Sequence, residues 1–415
     1  MRNKELGVKA ELVAPAGNLE RLKTALHFGA DAVYFSGKSF GLRAFSENFE
    51  DNEITGTVAL CHARKAKAYI TLNIFAHNAD FGGLKEHLQV LTAAKADAVI
   101  VSDPGIFDFV KENAPGLPVH ISTQANITNK YAAQFWARQG ASRIVLAREL
   151  SLKEIKEIRG ALPEKVGLEA FVHGAVCISY SGRCLLSNYL SSRDGNKGEC
   201  VQACRWEYAL TESKRQGEPL TVSEDKRGTY ILNSRDMNCL EILPEMIDAG
   251  ITAFKIEGRT KAAFYVGTVV NAYRRALDLH LNGQSGQNGQ IPLLQEELLK
   301  TGGRGFTTGF YMGDKDGGKT ENFITSKPQQ TAVFAAAVLG YDAEKTAVLV
   351  EQRNRFKVGD TLEIVSPLCF GKAIEVKEMS DADGNAVTDA YLVQQKLYIK
   401  TDIKLQEGDI LRKHA

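Results

Sequence analysis

The hydrophobic pattern repeats along the first 174 residues: a short apolar run ends in small or polar residues, and a longer stretch with apolar positions three or four residues apart follows. Continuous apolar runs of this length are typical of strands buried on both faces, as in parallel sheets. The longer stretches are typical of amphipathic helices. With two later runs, the candidate strands are 11–17, 31–37, 68–73, 97–103, 119–126, 143–149, 167–174, 229–236 and 252–258.

This alternation predicts an α/β protein with a (β/α)8, TIM-barrel-like domain. Nine candidate strands compete for eight places, so the pattern leaves the strand count open. A doubly wound open sheet is the alternative, but it would usually carry a glycine-rich phosphate turn after its first strand. The turn here reads Pro-Ala-Gly-Asn at 15–18, which does not match that fingerprint.

The pattern changes near residue 328 to short strands and turns. The segments 356–364 and 405–413 share one arrangement, with apolar runs on both sides of a Gly-Asp turn. We therefore predict a barrel domain over 1–327 and a small C-terminal β-barrel domain over 328–415. The second domain has 11 basic and 13 acidic residues, which favours a docking role over an electrostatic clamp.

Composition and charge are those of an ordinary soluble protein, with 44% hydrophobic residues and a net charge of +1. This balance excludes a highly basic nucleic-acid scaffold but leaves a local basic groove open. The longest uncharged apolar run has 11 residues, 331–341, where about 20 are needed to span a bilayer. The N-terminus lacks the apolar core of a signal peptide. We expect a cytoplasmic protein with no membrane partner, whose cysteines are thiols or metal ligands.

Four of the seven cysteines lie within 28 residues: Cys177, Cys184, Cys200 and Cys204. Four thiolates suit zinc or an iron–sulfur cluster. Structural zinc sites usually contain Cys-x2-Cys pairs, which this chain lacks, so the spacing favours iron–sulfur and leaves zinc open. Four structural thiols are the third alternative. Three cations in the segment would offset the charge of a thiolate-bound cluster: Arg183, Lys197 and Arg205.

The sequence EAFVHGAVCISYSGRCLLSNYLSSRDGNKGEC, residues 169–200, closely resembles the signature of peptidase family U32, the collagenase-like peptidases. Other stretches resemble further blocks of that family, and the resemblance spans about residues 10–312: ELVAPAGNLERLKTALHFGADAVYFSG, STQANITN, RIVLAREL, NSRDMNCLE, FKIEGR and GGRGFTTGF. The C-terminal β-domain makes the chain similar to the branch whose members hydroxylate tRNA.

This resemblance implies C5 hydroxylation of the tRNA wobble uridine, with prephenate or a similar small carboxylate as a required metabolite. It also implies that the four clustered cysteines hold a 4Fe–4S cluster. The partners it implies are tRNA and, as a hetero-oligomer, a second protein of the same family. Two alternatives remain: a metal-dependent peptidase, and a non-catalytic iron–sulfur subunit of a hydroxylase complex.

In a (β/α)8 barrel, chemistry gathers at the carboxyl ends of the strands. Many polar groups follow the apolar runs there, which suits a wet functional mouth; the alternative is helix caps and internal salt bridges. Asn18 and Asp103 stand directly before helices and are interpreted as N-caps. As catalytic candidates we take His173, Glu257, Glu149 and Asp236. As substrate-binding candidates we take Arg148, Arg259, Arg304, Gln124 and Asn73, since an arginine fork pairs bidentately with a carboxylate.

A peptidase mechanism has little support from motifs, because the chain contains neither His-Glu-x-x-His nor Gly-x-Ser-x-Gly. Support for RNA contact is also modest. Arginines near aromatic residues suit stacking on unpaired bases, as for Arg304 with Phe306 and Phe310. Two further basic groups are either RNA contacts or solvated surface charge: Arg353, Arg355 and Lys357, and Lys214, Arg215, Lys226 and Arg227.

Overall fold

A computed structural model of the chain describes residues 10–38, 40–41, 48–177, 179–193, 195, 199–206, 224–225, 228–229, 235–284, 289–303, 305–313 and 330–415. Eight parallel strands close into a barrel, because the last one pairs with both the first and the seventh. In order around the barrel they are β1 (Glu11–Pro15), β2 (Ala32–Phe35), β3 (Lys67–Leu72), β4 (Ala98–Val101), β5 (Val119–Ile121), β6 (Arg143–Val145), β7 (Gly167–Ala175) and β11 (Ala253–Ile256). The predicted barrel is confirmed.

Helices follow the strands and cover the barrel, as the three- and four-residue apolar spacing predicts. Asn18 and Asp103 cap two of them, accepting hydrogen bonds from the backbone N–H groups of Arg21 and Ile106. No helix in the described ranges is both long enough and apolar enough to cross a membrane. The helices are α1 (Leu19–His27), α2 (Asp51–Ala63), α3 (Leu84–Ala93), α4 (Pro104–Asn113), α5 (Lys130–Arg138), α6 (Leu152–Gly160), α7 (Leu186–Ser191), α8 (Leu243–Asp248), α9 (Ala263–Leu281) and α10 (Gln290–Leu299).

The ninth candidate strand, 229–236, is not part of the barrel. Its last residue, Asp236, begins a short strand, β10 (Asp236–Asn238), that runs antiparallel to β7 on the outside of the eight. A two-residue strand, β12 (Phe306–Thr307), extends this branch. The pair β8 (Glu224–Asp225) and β9 (Gly228–Thr229) forms a separate hairpin. The pairing between strands therefore decides which eight of the nine candidates form the barrel.

The C-terminal region forms an antiparallel β-domain with its own apolar core, as predicted. Its strands are β13 (Ala332–Asp342), β14 (Ala347–Gln352), β15 (Phe356–Lys357), β16 (Thr361–Val365), β17 (Ala373–Glu375), β18 (Met379–Ser380), β19 (Asp389–Ala390), β20 (Lys396–Lys400) and β21 (Ile410–His414). Seven of them pair in one sheet, in the order β17–β16–β21–β13–β14–β20–β18, and β15 pairs with β19 separately.

The β-domain packs closely on the barrel through α9 and α10. At Gly267 in α9, a Cβ would lie 2.7 Å from the Phe28 ring and 2.8 Å from Ile410 of β21, so only glycine permits this approach. Buried Arg412 reaches from β21 to Glu297 of α10, at 2.6 Å. The β-domain therefore shares a buried, charged interface with the barrel.

Candidate active site at the mouth of the barrel

Seven of the predicted site residues lie at the carboxyl ends of barrel strands, at the mouth: Asn73, Gln124, Arg148, Glu149, His173, Glu257 and Arg259. The structure joins the ends of β3 and β5 through two of them, because the Asn73 side-chain amide donates a 2.5 Å hydrogen bond to Gln124 Oε1. It also brings Arg148 and Glu257 together, from the ends of β6 and β11.

Arg148 is a buried cation with unused donor capacity. Its Nη1 donates to the carbonyl oxygen of Ala175, at 2.7 Å, and its guanidinium lies 3.9 Å from the ring centroid of Phe171. The distance from Nη2 to Glu257 Oε2 is 3.9 Å, which is beyond hydrogen-bond range. Nε has no hydrogen-bond partner within the described part of the chain. These contacts therefore fix the orientation of the Arg148 guanidinium and leave some of its N–H donors unused.

His173 is enclosed by aromatic rings, with centroid distances of 5.9 Å to Tyr265, 5.5 Å to Tyr273 and 5.5 Å to Phe306. Its Nδ1 lies 3.4 Å from the Tyr273 hydroxyl. Burial, together with the charge of Lys261, lowers the pKa of His173 to about 3. The imidazole is therefore neutral at physiological pH, which suits hydrogen bonding more than proton shuttling.

Arg259 is also buried, but its contacts tie it to the barrel wall. Its Nη1 donates to Thr71 Oγ1 at 3.3 Å, and its carbonyl oxygen accepts from Arg21 Nη1 at 3.2 Å. The carbonyl also approaches Gly17 so closely that a Cβ there would lie 2.1 Å away. Arg259 thus joins the ends of β1, β3 and β11 at the mouth.

Two predicted acids occupy the edge of the site. Glu149 is half-buried, and burial raises the pKa of its carboxyl although Arg148 acts in the opposite direction. Asp236 is buried opposite Ala175, so it adjoins the mouth from the branch outside the barrel. A Cβ at Gly303 would lie 3.7 Å from Asp236 Oδ2. The next residue, the predicted substrate-binding Arg304, lies outside the described residues.

The cysteine segment, residues 177–206, follows β7 and lies against the mouth. Gly182 has a φ of +77°, and a Cβ there would lie 2.7 Å from Gln124 Nε2. Glycine is therefore required both for the left-handed backbone and for the close approach. The guanidinium of Arg183 lies 5.7 Å from the ring centroid of Phe75, in the loop after β3. The segment thus contacts the ends of β3 and β5.

The four thiols fit a thiolate-bound cluster in donor chemistry. Backbone N–H groups two residues ahead donate to the sulfurs of Cys184 and Cys200, each at 3.4 Å, and such N–H···S bonds stabilise cluster ligands. A Cβ at Gly195 would lie 3.5 Å from the Cys200 Cβ and 3.9 Å from the Cys184 carbonyl oxygen, so this glycine bridges the two turns. In the described ranges no three His, Cys, Asp or Glu side chains are arranged to hold a metal.

The opposite end of the barrel holds a group of charges that the sequence interpretation missed, here called the base cluster: Glu11, Tyr69, Arg143, Glu169 and Lys255. Arg143 Nη1 lies 2.7 Å from Glu11 Oε1 and 2.9 Å from Glu169 Oε2. Lys255 Nζ lies 2.8 Å from Glu169 Oε1, and the Tyr69 hydroxyl donates to Glu11 at 2.7 Å. The sequence signal that could have indicated this cluster is a charged residue inside an otherwise apolar strand, as in Phe-Lys-Ile at 254–256.

Mutual neutralisation explains the ionisation of the base cluster. Burial alone would raise the pKa of Glu169, but Lys255 and Arg143 outweigh it, and the pKa is lowered. The same balance lowers the pKa of Glu11, mainly through Arg143. Burial lowers the pKa of Lys255, and Glu169 opposes that shift. These groups hold one another as ion pairs.

Two predicted RNA contacts are engaged with carboxylates. Arg353 lies 2.8 Å from Glu20 of α1 and 3.0 Å from Glu351, at the interface between the domains. Arg355 pairs with Asp389 at 2.6 Å. These ion pairs show how the two arginines are held, and RNA contact at this turn stays one of the two interpretations of the sequence. The second basic group, Lys214 to Arg227, lies outside the described residues.

Comparisons with known proteins agree with the resemblance. The family described as "Peptidase family U32" matches residues 17–321, and "Peptidase family U32 C-terminal domain" matches residues 330–412. The "tRNA hydroxylation protein P1" of Bacillus subtilis is 40% identical, over 98% of this chain and 95% of its own length. The two family matches follow one another along the chain and together cover most of it.

Two other relatives carry different names. A 23S rRNA 5-hydroxycytidine synthase of Escherichia coli is 37% identical, over 65% of this chain and 39% of its own length. A protein named "Collagenase" in Porphyromonas gingivalis is 30% identical, over 86% of each chain. The relatives therefore include proteins named for RNA hydroxylation and for proteolysis.

Proposed function

We propose that this chain, which belongs to peptidase family U32, hydroxylates the wobble uridine of tRNA at C5 in a prephenate-dependent reaction. One observation carries the proposal: the similarity to the Bacillus subtilis tRNA hydroxylation protein extends through both domains and over nearly the whole of both chains. The relative named for rRNA hydroxycytidine formation supports the same class of substrate and chemistry.

The geometry of the mouth supports the binding of a small carboxylate. Prephenate carries two carboxylates, and such a dianion needs fixed cations. Arg148 is held by Ala175 and Phe171 while its Nη2 stays 3.9 Å from Glu257. A carboxylate entering the mouth would find this planar fork already oriented. Arg259, tied to Thr71, would then act mainly by its charge and by shaping the wall.

A 4Fe–4S cluster on Cys177, Cys184, Cys200 and Cys204 is the cofactor we propose. When bound, such a cluster supplies electron transfer or an iron that can bind an oxygen donor. The chain's own part is to hold the thiolates beside the mouth and to direct N–H groups at the sulfurs. Gly182 lies against Gln124, so the segment that carries the four cysteines contacts the end of β5.

The first test is the nucleoside profile of tRNA, measured by mass spectrometry in a strain that lacks this protein. We expect the 5-hydroxyuridine-derived wobble nucleosides to disappear and to return when the wild-type chain is supplied. An unchanged profile in the deletion strain would contradict the proposed function. Hydroxylation of tRNA by the purified protein would distinguish an enzyme from an accessory subunit.

The second test concerns the cofactor. Protein purified without oxygen should be brown and contain iron and acid-labile sulfide. Replacing Cys177, Cys184, Cys200 or Cys204 by Ala should abolish or severely deplete both, because each removes one ligand. The half-buried Cys369→Ala is the matched control and should keep the cluster. Stoichiometric zinc without sulfide in the anaerobic protein would refute the assignment of an iron–sulfur cluster.

The peptidase alternative gains no nucleophile from the remaining buried cysteines. Burial raises the pKa of the Cys61 thiol to about 12 and also raises that of Cys239. Neither thiol is therefore a thiolate at neutral pH, which cysteine attack requires. We accordingly prefer hydroxylation to proteolysis for this chain.

A further inference from the structure

The cysteine segment exposes large apolar side chains beside the mouth. We call the following set the aromatic platform: Tyr180, Leu185, Tyr189, Leu190 and Trp206. The exposed fraction is 87% for Tyr189, 51% for Tyr180 and 44% for Trp206. Side chains of this size are rarely displayed together on a monomer without a binding role. The position of the platform, next to the mouth, makes its occupant relevant to the reaction.

Secondary structure brings the platform together. Leu185 and Tyr189 are four residues apart, and the Tyr189 N–H donates to the Leu185 carbonyl at 2.9 Å, so their side chains share one face of α7. Trp206 directly follows the short 3-10 turn Ala203–Arg205, which packs against α7. A hydrogen bond from the Val201 N–H to Ser187 Oγ, at 3.1 Å, ties the two pieces.

The charge around the platform favours an anionic occupant. Arg183 and Arg193 are exposed on the same segment. Basic residues of 177–206 outnumber acidic ones, with Arg183, Arg193, Lys197 and Arg205 against Asp194 and Glu199. Aromatic rings beside arginines form the surface on which unpaired bases stack while their phosphates meet the cations.

Contacts with the barrel place the platform on the route to the mouth. Gly182 lies against Gln124 and Arg183 lies over Phe75, so the segment that carries the rings is anchored on the ends of β5 and β3. A nucleotide stacked on the platform would be held on a segment that contacts two strand ends at the mouth. Hydroxylation at C5 of a base requires the base to be unstacked from its neighbours and presented to the site.

We propose that the aromatic platform of the cysteine segment is the stacking surface for unpaired loop nucleotides of the RNA substrate, and that it holds the loop while the target base enters the mouth. This inference rests on the proposed function and adds the surface that recognises single-stranded RNA. It assigns recognition to the rings of Tyr180, Tyr189 and Trp206 and to Arg183 and Arg193, which lie on either side of α7.

The test uses full-length protein purified without oxygen and a dye-labelled anticodon stem–loop RNA, with binding measured by fluorescence anisotropy. Tyr189→Leu keeps an apolar side chain and removes the ring, so binding should weaken about 5- to 100-fold, the range for loss of one base–aromatic stack. Tyr189→Phe should bind like the wild type. Tyr391→Ala, at an exposed tyrosine on the β-domain, is the control and should also bind normally.

Ultraviolet cross-linking supplies a readout independent of affinity. Irradiation of the complex should join loop nucleotides to the peptides that contain Tyr189 or Trp206, and a fully paired duplex of the same length should not cross-link there. Wild-type affinity in Tyr189→Leu, equal losses in Tyr391→Ala, or equal cross-linking by the duplex would overturn the proposal. So would competition by an acidic polypeptide as strong as that by the loop RNA, which would indicate a protein-binding surface.

The two proposals fail in different ways. If the chain does not hydroxylate tRNA, wobble nucleosides stay normal in the deletion strain whatever the binding results. If the platform assignment is wrong, the deletion strain loses those nucleosides, but Tyr189→Leu restores them as fully as the wild type and binds the stem–loop normally.

Discussion

The two ends of the barrel hold the same kinds of charged residue in different states of pairing. At the base, Arg143 and Lys255 each meet a carboxylate within 2.9 Å. At the mouth, Arg148 stands 3.9 Å from Glu257 and its Nε has no hydrogen-bond partner in the described ranges. Charges whose hydrogen-bonding groups are all paired with one another stabilise the fold. A buried cation that keeps an unused donor is available to bind a ligand. Burial alone does not separate the two, because both arginines are largely buried.

The largest expected effect comes from breaking the base cluster. Glu169→Gln removes the anion that Lys255 and Arg143 share and leaves two cations together in the barrel. Breaking a buried ion pair typically costs about 3–5 kcal/mol, and we expect a loss of that size in the free energy of unfolding. Urea unfolding measures it. Glu257→Gln at the mouth is the matched control and should cost less than about 1.5 kcal/mol; similar losses in both would erase the contrast between the two ends.

Arg148→Lys should instead reduce activity while leaving stability almost unchanged. A lysine keeps the charge but loses the fork and the stacking on Phe171. Wobble hydroxylation should fall at least tenfold, or about 1.4 kcal/mol in transition-state free energy, while the free energy of unfolding changes by less than about 1 kcal/mol. Mass spectrometry of tRNA and urea unfolding measure the two quantities. Full hydroxylation in Arg148→Lys would remove this residue from the site.

Replacing His173 should have the smallest effect on stability at neutral pH, and the effect should become measurable at acid pH. The pKa of His173 is lowered from 6.5 to about 3 in the fold. Between those values the unfolded chain binds a proton that the folded chain does not, so stability falls as the pH falls. His173→Phe fills the cage without titrating. Relative to this variant, the wild type should lose about 1.4 kcal/mol of unfolding free energy per pH unit below about 6.

Parallel urea titrations at several pH values measure this difference. A constant gap between wild type and His173→Phe from pH 7 to pH 4 would show that His173 has the same pKa in the folded protein as in the unfolded chain. Below that pKa the mouth would then contain a buried cation that the contacts of His173 do not predict.

Periodicity was sufficient to predict the barrel, because strands buried on both faces and amphipathic helices leave different spacings of apolar residues. It could not choose among nine strands. Asp236 ends an apolar run like the others, and only its antiparallel pairing with Ala175 excludes it from the barrel. Pairing depends on contacts distant in sequence, which a local pattern does not contain.

The rule that chemistry lies at strand ends located most of the mouth, including the contacts of Asn73 with Gln124 and of Arg148 with Glu257. It missed the base cluster, because Glu169 and Lys255 lie inside the strands. Nor could the sequence show the ion partner of Arg353, because Glu20 is more than 300 residues away in the chain. Spacing identifies which residues are candidates, and tertiary pairing decides which of them keep a donor for a ligand.

The closing strand of the barrel has a consequence for how the chain reaches its native state. Because β11 pairs with β1 and β7, contacts such as Glu11 with Ala253 join positions far apart in sequence, and such topology slows folding. Until β11 docks, Glu169 lacks the cation of Lys255. A partly assembled barrel on a growing chain would therefore be penalised electrostatically. Closure should be cooperative and late, after the cysteine segment has left the ribosome.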